Sequence, residues 1–147
     1  MNKEIIMNET HRVSVEKYPF LIIKSYWDGE KIPEEEYNYE YTWYDEIPKG
    51  WAKAFGEQMC DELLEILEEG NFVNEYQIVQ VKEKFGGLRW YDNGVPKSIW
   101  DKHNAWLDKY EALSYKTCVI CGKPSTCVTS GWVQPVCQEC YDNMYKE

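Results

Sequence analysis

The chain has 147 residues, of which 44% are hydrophobic and 16% aromatic, and its formal net charge is −10 at pH 7. This length suits one compact domain, or one domain with a small attached module, and the aromatic content excludes a disordered chain. Neither an export signal nor an apolar run long enough to cross a membrane is visible, so we expect a cytoplasmic protein whose thiols stay reduced.

The negative charge is concentrated in one region. Residues 28–75 contain 15 Asp and Glu against three Lys, whereas the remainder of the chain is nearly neutral. Such a region repels nucleic acid and attracts basic surfaces. We therefore expect a basic protein as partner and no direct binding to nucleic acid.

The first elements along the chain are aromatic. Tyr18 to Tyr26 is rich in β-branched and aromatic residues, which predicts a strand or an extended buried segment. Residues 30–46 alternate acids with Tyr and Trp. This pattern has two interpretations: a polar loop whose aromatic side chains pack on the domain, or a contact surface for a basic partner.

The clearest helix is predicted from Trp51 to Glu69, closed by Gly70-Asn71. Its apolar positions recur at spacings of three and four and form one stripe: Trp51, Phe55, Met59, Leu63, Ile66 and Leu67. A second stripe is acidic and lies roughly opposite: Glu57, Asp61, Glu65 and Glu68. A charged helix face is usually only solvated, but no Lys or Arg occurs between residues 54 and 81 to offset the repulsion here, so a functional contact is the alternative interpretation.

A β-hairpin and a second helix follow. Tyr76 to Lys84 and Leu88 to Asp92 are predicted strands, joined by a turn at Phe85-Gly86-Gly87. The second helix is expected from Pro96 or Lys97 to Ser114. Its apolar face contains Ile99, Trp100, His103, Trp106, Leu107, Tyr110 and Leu113, with His103 interpreted as a core histidine.

Two Cys-x-x-Cys pairs near the C-terminus are separated by fifteen residues: Cys118, Cys121, Cys137 and Cys140. Four thiolates at this spacing are typical of a structural zinc site; the alternatives are two disulfides or six unrelated buried thiols. Because four cysteines would close the coordination shell, we expect one Zn²⁺ that is structural and not catalytic. Cys127 lies between the pairs and is not expected to be a ligand.

Together these elements predict an α+β fold. Residues 1–116 would form an acidic domain with an antiparallel β-hairpin or small sheet and two amphipathic helices. Residues 117–147 would form a ribbon or treble-clef-like zinc module docked on it. The two histidines, His11 and His103, sit in no recognisable catalytic motif, so we do not expect an enzyme.

Three segments carry a family resemblance: Pro48-Lys49-Gly50-Trp51 with the Phe55–Cys60 stretch, the hairpin Lys82–Tyr91, and the Cys-x-x-Cys-Gly-Lys-Pro tail with its second cysteine pair. They resemble small phage and prophage proteins with a C-terminal zinc module, and within that group zinc-containing type II-A anti-CRISPR proteins. The resemblance implies a phage-encoded inhibitor that binds a type II RNA-guided DNA nuclease, without catalysis. Because such nucleases hold nucleic acid in a basic channel, the acidity of the chain leads us to expect that binding impedes nucleic-acid loading.

No contact residue follows from the resemblance, so the candidates come from charge and aromatic content. They are Glu34, Glu35, Glu36, Tyr39, Trp43, Glu57, Asp61, Glu65 and Glu68. Two alternatives stay open. One is an immunity protein for a nuclease toxin. The other is a zinc-ribbon regulator that binds nucleic acid through a basic patch, which would contain Lys82, Lys84, Arg89, Lys116 and Lys123.

Overall fold

The computed structural model describes residues 16–24 and 41–145. This part of the chain contains a two-stranded antiparallel sheet, two long helices, a shorter strand pair and a C-terminal helix. The predicted α+β fold with a C-terminal cluster of four cysteines is therefore confirmed. Four predicted contact residues, Glu34, Glu35, Glu36 and Tyr39, lie outside the described residues.

Helix α1 is continuous but changes its winding. It consists of an α-helical turn at Lys49–Trp51, a π-helical turn at Ala52–Gly56 and a regular α-helix at Glu57–Glu69. The whole predicted apolar stripe is buried except for Ile66, which is half-buried. The end of the helix at Gly70 also matches the prediction.

The hairpin pairs β1 (Ile78–Lys84) with β2 (Gly87–Asp92). Lys84 pairs with Gly87, which leaves Phe85 and Gly86 as a two-residue turn, and both have positive φ. One face of the hairpin is apolar and enters the core through Val81, Leu88 and Trp90. The hairpin therefore forms where its alternating pattern predicted.

Helix α2 (Trp100–Ser114) follows a 3₁₀ turn at Lys97–Ile99. The predicted end at Ser114 is confirmed, whereas the predicted start at Pro96 or Lys97 coincides with the 3₁₀ turn. The predicted apolar face is only partly right, because Trp100 is 55% exposed and Leu113 is 38% exposed. The face turned to the core contains Ile99, His103, Trp106, Tyr110 and Ser114. The Trp106 indole donates a hydrogen bond of 2.9 Å to the Met59 carbonyl and fixes α2 against α1.

A buried polar network joins the hairpin to α2. Asp92 Oδ2 accepts a hydrogen bond of 2.6 Å from the Tyr76 hydroxyl and lies 2.7 Å from His103 Nε2. Burial opposes ionisation of Asp92, but these hydrogen bonds outweigh it and lower the pKa of its carboxyl. His103 is 4% exposed. It is therefore a core histidine, as the sequence indicated.

The segment Tyr18–Lys24 is buried but is not a regular strand. Pro19–Leu21 forms a 3₁₀ turn, closed by a hydrogen bond of 3.2 Å from the Ile22 amide to the Pro19 carbonyl. Proline fixes φ at a value that suits this turn, which overrides the β-branched pattern. Tyr18, Phe20 and Leu21 are buried in the core, so the predicted burial is correct but the predicted extended conformation is wrong at the turn. Ser25 and Tyr26, the end of the predicted segment, lie outside the described residues.

The C-terminal part contains β3 (Cys127–Val128), β4 (Pro135–Val136) and α3 (Gln138–Met144). The strands pair antiparallel, Cys127 with Val136 and Val128 with Pro135, as a short hairpin between the cysteine pairs. None of the helices in the described part of the chain is long and apolar enough to cross a membrane.

Candidate functional site

The four predicted metal ligands meet at one point. The sulfur atoms of Cys118, Cys121, Cys137 and Cys140 all lie within 4.8 Å of one another, and Cys121 Sγ is 3.5 Å from Cys137 Sγ. In a tetrahedral site with metal–sulfur bonds of about 2.3 Å, the sulfurs are roughly 3.8 Å apart. The group could therefore hold a metal ion with little rearrangement.

The first cysteine pair forms a tight knuckle. The Cys118 amide donates a hydrogen bond of 2.8 Å to the Lys123 carbonyl, and the Gly122 amide donates one of 3.1 Å to the Cys118 carbonyl. Gly122 has a φ of 85°, which side chains rarely adopt. The chain thus reverses immediately after Cys121, and both sulfurs point to the same side.

The second cysteine pair lies at the start of a helix instead of forming a second facing knuckle. Cys137 is the N-cap of α3, and its sulfur accepts a hydrogen bond of 3.4 Å from the Cys140 amide in the first turn. A knuckle followed by a β-hairpin and then by the N-terminus of a helix is a treble-clef-like arrangement. Of the two predicted architectures, the ribbon with two knuckles is therefore wrong at this position.

Backbone hydrogen bonds prepare Cys118 for a cation. Burial raises the pKa of its thiol, but the backbone amides of Cys121, Cys137 and Ile120 favour the thiolate and hold the pKa at about 7. Burial and the neighbouring cysteines raise the pKa of Cys140. A metal cation between the sulfurs would offset this penalty, because coordinating thiols are deprotonated.

The knuckle is seated directly on the start of α1. The Gly50 amide donates a hydrogen bond of 2.7 Å to the Val119 carbonyl, and the Trp51 indole donates one of 2.8 Å to the Thr117 carbonyl. A Cβ atom at Gly50 would overlap the Cys118 carbonyl. Hydrogen bonds therefore cross the predicted boundary at residues 116 and 117, which itself stays a prediction.

Sequence reasoning missed the role of Gly50. The only signal was its position in the Pro48-Lys49-Gly50-Trp51 segment that carried the resemblance. A glycine in the first turn of a helix has no necessary partner in sequence, and only the fold brings the knuckle to it.

Cys127 lies outside the sulfur cluster. It is half-buried on β3, and its Sγ is 3.3 Å from the Gln138 side-chain oxygen. It is absent from the group of residues that could share a metal ion. This placement fits the prediction that Cys127 is not a ligand.

The four acidic positions predicted on α1 are all exposed: Glu57, Asp61, Glu65 and Glu68. Asp61 differs from the others, because it accepts a hydrogen bond from the Tyr18 hydroxyl and pairs with Lys17 at 3.1 Å. Within residues 16–24 and 41–145, the remaining three carboxylates have no hydrogen bond or ion pair. We call Glu57, Glu65 and Glu68 the open acidic face.

Other carboxylates of α1 are neutralised by α2. Lys109 pairs with Glu62 at 2.9 Å, and Lys102 pairs with Glu69 at 2.7 Å. The sequence indicated a helix without counter-ions because no Lys or Arg is near in sequence, whereas α2 supplies two from more than 30 residues away. The repulsion on α1 is thus smaller than expected and is confined to the open acidic face.

Trp43 is not an exposed anchor. It begins a 3₁₀ turn, Trp43–Glu46, whose N-cap Thr42 forms a reciprocal capping box with Asp45. Its ring is half-buried and packs against the core, and its buried indole nitrogen has no partner among the described residues. Its contribution to a protein contact stays a prediction, limited to the exposed part of the ring.

The basic residues considered for nucleic-acid binding are partly engaged. Arg89 lies 3.5 Å from Glu111, and Lys123 lies 3.4 Å from Glu139. These pairs reduce the charge available to phosphates. A regulator that binds through this patch alone is thus less favoured than the sequence suggested.

Comparison of the chain with protein-family models, with curated proteins and with solved structures finds no match. What the site can do is therefore inferred from the geometry and charge of its own residues.

Proposed function

We propose that the chain is a phage-encoded inhibitor of the anti-CRISPR type, which binds a basic nucleic-acid-handling protein of the bacterial host cytosol. The partner is a type II RNA-guided DNA nuclease, and binding impedes the loading of nucleic acid. The observation that carries the proposal is the open acidic face, whose three exposed carboxylates have no cation in the described part of the chain.

The unpaired negative charge on α1 supports a partner with a basic surface. A surface with several unpaired carboxylates accelerates encounter with an oppositely charged surface and gives that encounter a strong dependence on salt. RNA-guided nucleases hold their heteroduplex in a positively charged channel and contact its backbone without reading its sequence. An acidic helix can compete for those same cations.

The metal in this proposal is one structural Zn²⁺, held by Cys118, Cys121, Cys137 and Cys140. An all-cysteine shell within 4.8 Å matches the preference of zinc for four sulfur ligands and leaves no position for water. Its part in the function is mechanical. The knuckle contacts the first turn of α1 through Gly50, and α1 carries the open acidic face.

The test is a DNA-cleavage assay with purified type II-A nucleases and guide RNA. The chain is added either before or after target DNA. Blocked loading predicts strong inhibition only when the chain is added first, because bound DNA already occupies the basic channel. Guide loading is followed separately by filter binding.

Each outcome has a distinct meaning. Equal inhibition in both orders would place the contact at the cleavage step and not at loading. No inhibition in either order across several type II-A nucleases would refute the proposal. The immunity-protein alternative would then be examined with a panel of nuclease toxins.

A further inference from the structure

Three exposed aromatic side chains lie around the turn of the β1–β2 hairpin. Phe85 is 73% exposed, Trp132 is 68% exposed and Tyr115 is 42% exposed. The Tyr115 ring lies against Gly87, where a Cβ atom would overlap it, and the Val133 carbonyl is 3.6 Å from a Cβ position at Gly86. We call Phe85, Tyr115 and Trp132 the aromatic tip.

Phe85 is unfavourable here both for its backbone and for its side chain. Its φ is 54°, a region that bulky residues avoid and that Asn and Gly tolerate in two-residue hairpin turns. Its ring stays largely in water, so burial returns little of this cost. Bulky residues with such unfavourable backbone angles are concentrated at functional sites. This suggests that the Phe85 ring makes a contact with another molecule.

Glu83 holds the aromatic tip in place. Its Oε2 accepts a hydrogen bond of 2.8 Å from the Gly86 amide, and its Oε1 accepts one of 2.7 Å from the Trp132 indole. Gln134 donates a third to the same Oε1 at 2.9 Å. One carboxylate therefore fixes the hairpin turn and the exposed tryptophan together, so little ordering remains to be done on binding.

The surroundings of the tip are basic, unlike those of α1. Lys84 Nζ is 5.6 Å from the centre of the Phe85 ring, and Lys82 points to the same side of β1 two residues earlier. Lys116 is exposed next to Tyr115. Arg89 and Glu111 cancel each other at 3.5 Å. Glu83 remains a charged carboxylate, because its three hydrogen-bond donors are neutral, so the three lysines outnumber one unpaired acid.

We propose that the aromatic tip stacks on an unpaired base of single-stranded nucleic acid, with Lys82, Lys84 and Lys116 facing the phosphates. Exposed aromatic rings beside cations are the arrangement by which proteins bind single strands. A surface of the basic partner proposed above fits less well, because three lysines beside the rings would repel it. The use of this contact rests on the proposed function, in which the strand is one that the nuclease partner displays.

The contact is weak when the chain acts alone. One or two stacked bases and three lysines correspond to a dissociation constant of about 1 mM at low salt. The overall charge of −10 weakens it further at physiological salt. The tip would therefore contribute only when the open acidic face already holds the chain on a partner, since the second contact is then intramolecular.

The stacking is testable on the zinc-loaded chain without any nuclease. We would titrate ¹⁵N-labelled protein with a single-stranded oligothymidine of about six bases, at about 20 mM and about 150 mM salt. The amides of Gly86 and Gly87 and the Trp132 indole should shift with a constant near 1 mM, and the shifts should disappear at the higher salt. Inorganic tripolyphosphate tests attraction of phosphate alone, and a duplex tests whether base faces are needed.

Two variants separate binding from folding. Phe85→Asn should weaken the oligonucleotide contact at least tenfold, while Tm stays unchanged or rises by about 3 °C because Asn tolerates positive φ. Trp132→Ala should weaken it similarly. Trp100→Ala removes another exposed tryptophan, on α2, and should leave the contact unchanged.

Several results would overturn the inference. They are an absence of shifts at the tip up to about 5 mM oligonucleotide, equal shifts with tripolyphosphate, or a Phe85→Asn variant that unfolds more easily. If the wild type shows no shifts with the oligonucleotide but Phe85→Asn loses affinity for the nuclease, the aromatic tip is a protein contact. If wild type shifts with oligonucleotide but binds no nuclease, the stacking stands and only the proposed function fails.

Discussion

The amide of Gly50 donates a hydrogen bond of 2.7 Å to the carbonyl of Val119. This bond joins the first turn of α1 to the knuckle that carries two of the four clustered cysteines. The Gly122 backbone lies on the other side of the contact, where a Cβ would be 2.7 Å from the Gly50 carbonyl oxygen. The cysteine cluster and the acidic helix α1 are thus joined by direct backbone contacts and form one structural unit.

Gly50→Ala should disrupt this unit. The new Cβ would overlap the Cys118 carbonyl, and rigid backbone cannot move aside as a side chain can. We expect a loss of about 3 kcal/mol in the free energy of unfolding, at the upper end for overpacking, together with weaker metal retention. Urea denaturation and metal analysis measure both, and Lys49→Ala, at the exposed neighbouring position, is the control. Equal stability of the two variants would contradict the close packing.

Removal of a metal ligand should be distinguishable from removal of a neighbouring thiol. Cys137→Ser should lose the metal, because Cys137 is a predicted ligand, whereas serine can still serve as the N-cap of α3. Structural zinc in small modules contributes on the order of 10 kcal/mol, so the C-terminal part should unfold. Cys127→Ser should keep one Zn²⁺ per chain. Elemental analysis that finds metal loss in Cys127→Ser would show that the ligand set is wrong.

Reversal of the open acidic face should slow association with the nuclease. The substitutions Glu57→Lys, Glu65→Lys and Glu68→Lys lie on the exposed side of α1, so the fold should survive. Asp61 is left intact because it bonds Tyr18 and Lys17. We expect the association rate to fall about tenfold or more at low salt and to lose most of its salt dependence. Stopped-flow or surface-based kinetics would measure this.

The matched control reverses three exposed acids elsewhere: Asp101, Asp108 and Asp142. Both variants change the net charge equally, so any difference between them reports the position of the charges. If the two variants associate at the same rate, only total charge matters and α1 is not the contact.

Acid should weaken the buried network around Asp92. The pKa of this carboxyl is lowered in the folded chain, below its unfolded value of about 3.9. A lowered pKa adds stability above the unfolded value, and this stability is lost as pH falls through the folded value. Asp92→Asn should therefore cost about 2 kcal/mol at neutral pH, and the difference from wild type should shrink below about pH 4. Denaturation curves from pH 7 to 3 measure it.

Wild type and Asp92→Asn must be compared at the same pH, because a bound zinc ion would also be released as its thiolate ligands become protonated. Wild type and Asp92→Asn lose the metal alike, so their difference isolates the Asp92 network. A difference that stays constant down to pH 3 would show that Asp92 is not stabilised as a carboxylate.

Duplex nucleic acid should not bind the chain at physiological salt. Affinity for duplexes comes mainly from phosphate neutralisation, and two of the basic residues considered, Arg89 and Lys123, are paired with Glu111 and Glu139. Mobility-shift assays with DNA and RNA duplexes at about 150 mM salt should show free probe only. Tight, salt-sensitive binding would support the regulator alternative instead.

Local patterns in the sequence determined much of the fold. The period of apolar residues located α1 and α2, since one buried stripe defines a helix wherever it packs. The glycine-containing turn located the hairpin. The spacing of the four cysteines located the cluster that could hold a metal ion, because a sulfur site requires that residue type at short range. These features depend on residues close together in the chain.

Tertiary structure decided what depends on distant residues. It placed Lys102 against Glu69, Lys109 against Glu62, and Lys17 with Tyr18 against Asp61, which reduced the six carboxylates of α1 to the three of the open acidic face. It turned the second cysteine pair into a helix N-terminus, because β4 delivers Cys137 at the angle of an N-cap. It also joined Trp132 to Glu83 across 49 residues. Ion pairs and close contacts between segments leave no periodic pattern, so only the folded chain shows which charges stay open and which rings meet.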